Sequence, residues 1–121
     1  FFSAFFDADD TSNEAGKAFV DGFKAWVAAD KTRIENNGGT ADAISSVTPC
    51  GYDAYMAAVY AIEAANSTVG SDIQAALTTL QVPGLVTGDL SFDENGDAVK
   101  TYAVIKTIKD GQIVYYSTYN G

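Results

Sequence analysis

The stretch GYDAYMAAVYAIEAAN, residues 51–66, decides how the chain folds. Its large apolar residues recur at positions 52, 55, 59 and 62, which is the period of an α-helix. Alanine fills most of the other positions, and only Asp53 and Glu63 carry charge. Because such a helix has no broad polar face, the pattern predicts that other parts of the structure cover it on most sides.

The segment Thr48-Pro49-Cys50-Gly51 precedes this helix. Proline disfavours helix around its own position, so we predict that the helix begins at Gly51 or Tyr52. A helix N-terminus lowers the pKa of a nearby thiol, but the chain has no histidine to act as a base, which disfavours a reactive role for Cys50.

The composition is that of one acidic globular domain. The chain has 121 residues, of which 47% are hydrophobic, 16 are acidic and 7 are basic, and its formal net charge is -9. This length and apolar content suffice for a core. The acidic excess argues against binding to nucleic acid and to anionic membrane surfaces, since Lys and Arg dominate contacts with phosphate.

The absence of histidine and the single cysteine exclude several kinds of site within this chain. An intrachain disulfide, a zinc site built from Cys and His, and the Ser-His-Asp and Cys-His catalytic arrangements all need residues that are missing. Gly38-Gly39 is not followed by the Gly-Lys-Ser or Gly-Lys-Thr of a phosphate-binding loop. We therefore predict neither a cofactor nor a metal.

The opening residues 1–6, FFSAFF, are apolar on both sides of the strand alternation. This pattern predicts a central strand that is covered on both faces. The run is far shorter than the roughly 20 residues of a membrane helix, and it lacks the basic start and the cleavage site of a signal peptide. Since it looks like a strand entered partway, we expect the chain to be a piece of a longer protein.

Two further helices follow from capping and periodicity. Thr11 and Glu14 form a capping box, and the helix after them has an apolar side that we predict to be core. The aromatic residues of that side are Phe19, Phe23 and Trp26. Residues 30–49 show no clear period, whereas Ser71 and Gln74 repeat the capping pattern before another apolar stripe.

The last third of the chain changes to the period of strands. We predict strands at residues 85–92, 101–108 and 113–119, with a tight turn at residues 93–97. The Asp110-Gly111 pair between the last two strands indicates a hairpin. Tyr115, Tyr116 and Tyr119 lie on the last strand, either as an exposed binding surface or as alternating strand residues.

Two groups of carboxylates suggest a functional role, but a structural role explains each of them more simply. Asp7, Asp9 and Asp10 offer paired carboxylates for acid-base or glycosidase chemistry, but helix capping explains them more simply. The turn that starts at Asp93 resembles a calcium loop, yet glycine is its fourth residue and valine its twelfth. An EF-hand needs glycine sixth and a bidentate acid twelfth, so we predict a solvated turn.

Tyr52 and Asp53 are the candidate ligand-binding residues. They place a phenol and a carboxylate in the first turn of the central helix. Asp53 either complements the helix dipole or, if it faces a cleft, binds an ammonium group while Tyr52 stacks on the ligand or hydrogen-bonds to it.

Three segments carry a resemblance to a known family. They are Gly51-Tyr52-Asp53-Ala54, Val86-Thr87-Gly88-Asp89-Leu90-Ser91-Phe92-Asp93-Glu94-Asn95-Gly96-Asp97, and the strand pair around Lys109-Asp110-Gly111. Together with the opening strand and helix, this ordered set resembles the C-terminal third of the type I periplasmic solute-binding proteins. The family is that of the branched-chain amino acid (Leu/Ile/Val) ABC transporters.

The resemblance implies an α/β fold of two lobes, each a parallel sheet wrapped by helices, with the ligand between them. The chain would be a partial periplasmic-binding-protein type I (Rossmann-like, three-layer) fold, a C-terminal fragment with a terminal β-hairpin. Residues 1–47 would lie in the second lobe and residues 48–84 in the first, while residues 85–121 return to the hinge and second lobe. Tyr52 and Asp53 are the positions that it places near the ligand.

The function that the resemblance implies is transport and not catalysis. The full protein would be extracytoplasmic, in the periplasm or as a cell-surface lipoprotein, and would deliver a branched-chain or other small amino acid to an ABC transporter permease. Alone, this piece would expose the apolar faces of its first strand and central helix, so we expect it to self-associate or to pair with the rest of its own protein.

Other functions stay open at this stage. The same fold would also suit a ligand-sensing ectodomain of a receptor or regulator. A self-contained structural or adhesion domain is a third possibility. An enzyme that uses Asp9, Asp10 and Asp53 comes last.

Overall fold

The computed structural model describes residues 1–10, 12–100 and 102–120. Within these ranges the chain forms four helices, which are α1 (Glu14–Ala28), α2 (Lys31–Asn36), α3 (Thr48–Ala65) and α4 (Gly70–Leu77). Its six strands are β1 (Phe2–Ala4), β2 (Gln81–Val82), β3 (Leu90–Phe92), β4 (Ala98–Val99), β5 (Tyr102–Lys109) and β6 (Gln112–Asn120). No helix in these ranges combines the length and the apolarity needed to span a membrane.

The strands form two antiparallel sheets of three strands each. The terminal sheet has the order β1-β5-β6, and the small sheet has the order β2-β3-β4. The β5-β6 hairpin is confirmed, because Asp110 and Gly111 adopt φ values of 52° and 78°, as a two-residue turn of type I′ requires. The parallel pairing that the resemblance implies does not occur among the described strands.

Strand β1 lies at an edge of the terminal sheet. It pairs with β5 along one side, and no other described strand pairs with its outer side. Phe1 is 82% exposed, and Phe2 and Phe5 are exposed as well. The prediction of a central strand covered on both faces is therefore wrong for this chain, since an apolar run alone does not show whether both neighbouring strands are present.

Helix α1 begins where the Asn13 side chain caps it. The Asn13 Oδ1 atom accepts a hydrogen bond from the Gly16 backbone N–H at 2.8 Å. The capping box predicted for this helix involves Thr11, which lies outside the described residues. The cap that the structure shows is thus one residue before the first helical position.

Helix α2 occupies the region in which the sequence showed no clear period. Asp30 caps it by accepting a hydrogen bond from the Arg33 backbone N–H at 3.0 Å. Arg33 also lies 4.2 Å from the centre of the Trp26 ring and donates to the Trp26 carbonyl at 2.9 Å. Polar contacts and a cation-π contact support this helix, so a search for apolar periodicity missed it.

Helix α3 begins at Thr48, so the predicted start at Gly51 or Tyr52 is wrong. Pro49 lies in the first turn, where its missing N–H has no helical partner to lose and its fixed φ suits the helix. The predicted cover on most sides is also wrong for the described chain. The buried side of α3 consists of Pro49, Asp53, Ala57 and Ala61. Tyr55 on the other side is 68% exposed.

The small sheet differs from the strand predicted at residues 85–92. Only Leu90–Phe92 form a strand there, because Gly84 and Gly88 adopt φ values of 69° and 86° and bend the preceding segment. Residues 83–89 are called the clamp loop below. The capping pattern at Ser71 is also wrong, since α4 begins at Gly70 without a side-chain cap.

Two apolar clusters make up the core. One joins Ala57 of α3 to Val82, Leu85 and Leu90 of the small sheet and the clamp loop. The other joins Phe6, Val20 and Val86, with Phe19 and Ile44 packed against them. Helix α1 therefore shares a core with the clamp loop. The lobe boundaries at residues 47 and 84 stay a prediction.

We expect the substitution Phe6→Ala to lower the free energy of unfolding by about 3 kcal/mol, because the ring is almost completely buried. Phe1→Ala is the matched control, and removal of that exposed ring should change the free energy by no more than about 0.5 kcal/mol. Urea denaturation followed by fluorescence of the single tryptophan measures both. Equal losses in the two variants would contradict the assignment of Phe6 to the core.

Candidate functional site

The carboxylate of Asp53 fastens the clamp loop to helix α3. Asp53 is 3% exposed. Its Oδ1 atom accepts a hydrogen bond from the Val86 backbone N–H at 3.0 Å, and its Oδ2 atom accepts from the Thr87 backbone N–H at 2.8 Å and from Thr87 Oγ1 at 2.6 Å. Three donors therefore compensate the carboxylate for its loss of water.

Lys100 extends this arrangement to a second charge. Its Nζ atom donates to Thr87 Oγ1 at 2.8 Å and lies 3.4 Å from the Thr87 carbonyl oxygen. Since the Thr87 hydroxyl accepts from Lys100 and donates to Asp53, it bridges the ammonium and the carboxylate. The Lys100 ammonium thus compensates the negative charge of Asp53 through one buried hydroxyl.

Asn13 holds the other side of the clamp loop. Its Nδ2 atom donates to the Val86 carbonyl at 2.8 Å, while its Oδ1 atom caps α1. Val86 is therefore bonded both to the start of α1 and, through Asp53, to the first turns of α3. The Val86-Thr87 dipeptide therefore fixes the distance between the N-terminus of α1 and the first turns of α3.

An aromatic groove of about 660 Å³ runs between α1 and α3, with residues 83–86 of the clamp loop along it. Its larger lining side chains are Phe19, Phe23, Trp26, Tyr52, Met56 and Tyr60. No charged side chain lines it among the described residues. This lining suits an apolar group and offers hydrogen bonds at its phenol hydroxyls, at the Trp26 indole N–H and at the backbone.

The aromatic residues of α1 are walls of this groove. Phe19 stacks on Phe23 with ring centres 5.8 Å apart and lies 5.4 Å from Tyr52. Trp26 is 55% exposed. The prediction that this side of α1 is core is therefore wrong for Trp26 and holds only in part for Phe19, which packs against the buried cluster at Phe6.

The two candidate ligand residues face different surroundings. Tyr52 is 47% exposed and lines the aromatic groove. Asp53 turns to the clamp loop and lines a second groove of about 530 Å³ between α3, α4 and the small sheet. The ligand-binding role of both residues stays a prediction. Asp53 bonds to Thr87 directly and to Lys100 through the Thr87 hydroxyl. The sequence did not predict these contacts, because no local pattern links positions so far apart in the chain.

Cys50 also lines the second groove. Burial raises the pKa of its thiol above the ordinary value, and the negative charge of Asp53 raises it further. The thiol is therefore protonated at neutral pH, which agrees with the expectation that it is unreactive.

Of the remaining candidate carboxylates, Asp7 and Asp10 bind to their own chain, whereas Asp9 is exposed. Asp7 Oδ2 lies 2.7 Å from Lys106 Nζ, and Asp10 Oδ2 accepts from Thr118 Oγ1 at 2.9 Å. Burial raises the pKa of Asp10, but hydrogen bonds from Ser12 and Thr118 outweigh it and leave the pKa below its usual value. These carboxylates connect residues 7–10 to the terminal sheet.

The turn at residues 93–97 satisfies its own carboxylate. Asp93 Oδ1 accepts hydrogen bonds from the backbone N–H groups of Asn95 and Asp97, both at 2.9 Å, and these bonds lower the pKa of Asp93. No cluster of potential metal ligands occurs within the described residues.

We expect Asp53→Ala to lower the free energy of unfolding by about 3 kcal/mol, since it leaves two backbone N–H groups and the Thr87 hydroxyl without their acceptor. The exposed Asp21 on α1 provides the matched control, and Asp21→Ala should have an effect below about 0.5 kcal/mol. Thermal and urea unfolding of both variants make the comparison. An Asp53 variant as stable as the control would show that the hydrogen bonds between Asp53 and the clamp loop do not contribute to stability.

Comparison with solved structures identifies the fold. The chain matches the leucine-binding protein LivK of Thermotoga maritima with a TM-score of 0.68 and 27% sequence identity. The match covers 98% of this chain and 30% of that protein, so the chain spans less than a third of its length. No family model and no curated protein sequence matches the chain. The mixed α/β architecture is thus that of a part of a type I periplasmic binding protein, as the sequence predicted.

Proposed function

We propose that the chain is part of an extracytoplasmic solute-binding protein that captures a branched-chain or other small amino acid for an ABC transporter. The observation that carries this proposal is the match to a leucine-binding protein over 98% of the chain at 27% identity. The proposed function is binding and delivery to a permease and involves no catalysis. Under this proposal, residues 1–47 belong to the second lobe and residues 48–84 to the first lobe. Residues 85–121 form the strands that return to the hinge and the second lobe.

The exposed apolar surfaces support a partner for this chain. Phe1, Phe2 and Phe5 are exposed beside the edge of β1 with which no other described strand pairs, and Tyr55 and Ile62 are exposed on α3. The chain spans only 30% of the leucine-binding protein that it matches. We therefore propose that the remainder of such a protein covers these surfaces, with self-association as the alternative when the remainder is absent.

The solute would lie between this chain and that remainder. Tyr52 supports this placement, because its ring is half exposed and lines the aromatic groove. Asp53 contributes by fixing the clamp loop, since its carboxylate oxygens already accept three hydrogen bonds. Direct contact of Asp53 with the ammonium group of the solute stays a prediction.

We expect the product of the complete reading frame that encodes this chain to bind L-leucine, L-isoleucine or L-valine. The isolated chain of 121 residues should bind them weakly or not at all, since part of a cleft encloses little of the solute. Isothermal titration calorimetry compares the two proteins. Micromolar binding by the isolated chain, or no binding by the complete product, would refute the proposal.

Tyr52→Ala in the complete product should weaken amino acid binding by at least about tenfold, because an aromatic contact in a desolvated site is lost. Glu63→Ala is the matched control on the same helix, because Glu63 is exposed and lies outside the aromatic groove. Its affinity should stay within about twofold of the unsubstituted protein. Equal losses in both variants would remove Tyr52 from the site.

A further inference from the structure

We propose that Thr87 and Lys100 are positioning residues for Tyr52 and the aromatic groove. They hold the clamp loop and the first turns of α3 in the arrangement in which Tyr52 meets the solute. The part of this inference that concerns solute affinity rests on the proposed function. The part that concerns the shape of the groove stands on the geometry alone.

The direction of each hydrogen bond at Thr87 follows from chemistry. A lysine ammonium only donates and an ionised carboxylate only accepts, so the Thr87 hydroxyl must accept from Lys100 and donate to Asp53. Thr87 is 3% exposed, and no bulk water reaches the hydroxyl to replace either partner. A methyl group at this position would separate the two charges and leave both without their bridge.

The same dipeptide forms part of the groove. Val86 lines the groove, donates its N–H to Asp53 and accepts at its carbonyl from Asn13. A shift of the peptide between residues 86 and 87 therefore moves the start of α1 relative to the first turns of α3. The width of the groove beside Tyr52 depends on that distance.

Lys100 brings the terminal sheet into this arrangement. It follows directly after β4 and stands two residues before the start of β5. Among the described side chains that line the second groove, Asp53 and Lys100 are the charged ones, and they point to the same hydroxyl. The entry to the terminal sheet is thus held to helix α3 through Thr87.

The test compares two pairs of substitutions. Thr87→Val removes the hydroxyl and keeps the shape, whereas Thr87→Ser keeps the hydroxyl. Lys100→Met removes the charge and keeps the aliphatic stem, whereas Lys100→Arg keeps a cationic donor. Lys109→Met is the control, because Lys109 is an exposed lysine at the end of β5.

In the product of the complete reading frame, Thr87→Val and Lys100→Met should each weaken L-leucine binding by about tenfold in calorimetry. Thr87→Ser, Lys100→Arg and the control should stay within about threefold of the unsubstituted protein. Should Thr87→Val fail to fold, the Lys100 pair decides the question, because its side chain is only half-buried. Unchanged affinity in Lys100→Met, or an equal loss in Lys100→Arg, would overturn the proposal.

A second measurement does not depend on the solute. Trp26 is the single tryptophan of these 121 residues and lines the groove, so its quenching by acrylamide reports on the shape of the groove in the complete product, with any tryptophan outside this chain replaced by phenylalanine. Quenching should rise in Thr87→Val and Lys100→Met and stay unchanged in Thr87→Ser and the control. If the complete product binds none of L-leucine, L-isoleucine and L-valine, the proposed function fails, and equal quenching in all variants would separately overturn the positioning role.

Discussion

The buried carboxylate of Asp53 is the constraint on which the rest of the structure depends. An ionised carboxylate removed from water is costly unless donors surround it, and here two backbone N–H groups and a hydroxyl do so. Those donors belong to the clamp loop, which must therefore lie against helix α3. Because Val86 also accepts from Asn13, the position of α1 follows from the same contact. The aromatic groove is the space that these restraints leave between the two helices.

Helix α3 packs with its small side chains and presents its large ones to solvent. Ala57 and Ala61 are buried, whereas Tyr55, Tyr60 and Ile62 are exposed. Full burial of a large apolar side chain contributes about 1.5–3 kcal/mol, so this orientation leaves a substantial stabilisation unused within the described residues. Strand β1 likewise leaves Phe2 exposed, beside the edge with which no other described strand pairs. Both features favour a further protein surface over a chain that is stable by itself.

The sequence was sufficient where the deciding interaction is local. The apolar period of residues 51–66 predicted α3, and Asp110-Gly111 predicted the hairpin, since each depends on neighbours a few positions away. It was insufficient where the contact is distant. Asp53 meets a partner 34 positions later in Thr87, and no periodicity connects them. The sequence therefore placed the candidate pair on the right helix but one turn too early, because α3 begins at Thr48, and the hydrogen bonds of the Asp53 carboxylate required the structure.

Two segments that support the family resemblance separately form one hydrogen-bonded unit. The Tyr52-Asp53 pair supplies the carboxylate, and the segment that starts at Val86 supplies the donors. Gly88, with a φ of 86°, then turns the chain so that Asp89 accepts from the Gly84 N–H at 2.8 Å and closes the loop. The chemistry of these motifs is accordingly that of a scaffold. The proposed solute site beside Tyr52 would gain precision from this scaffold, since Tyr52 is next in sequence to Asp53, whose side chain accepts three hydrogen bonds.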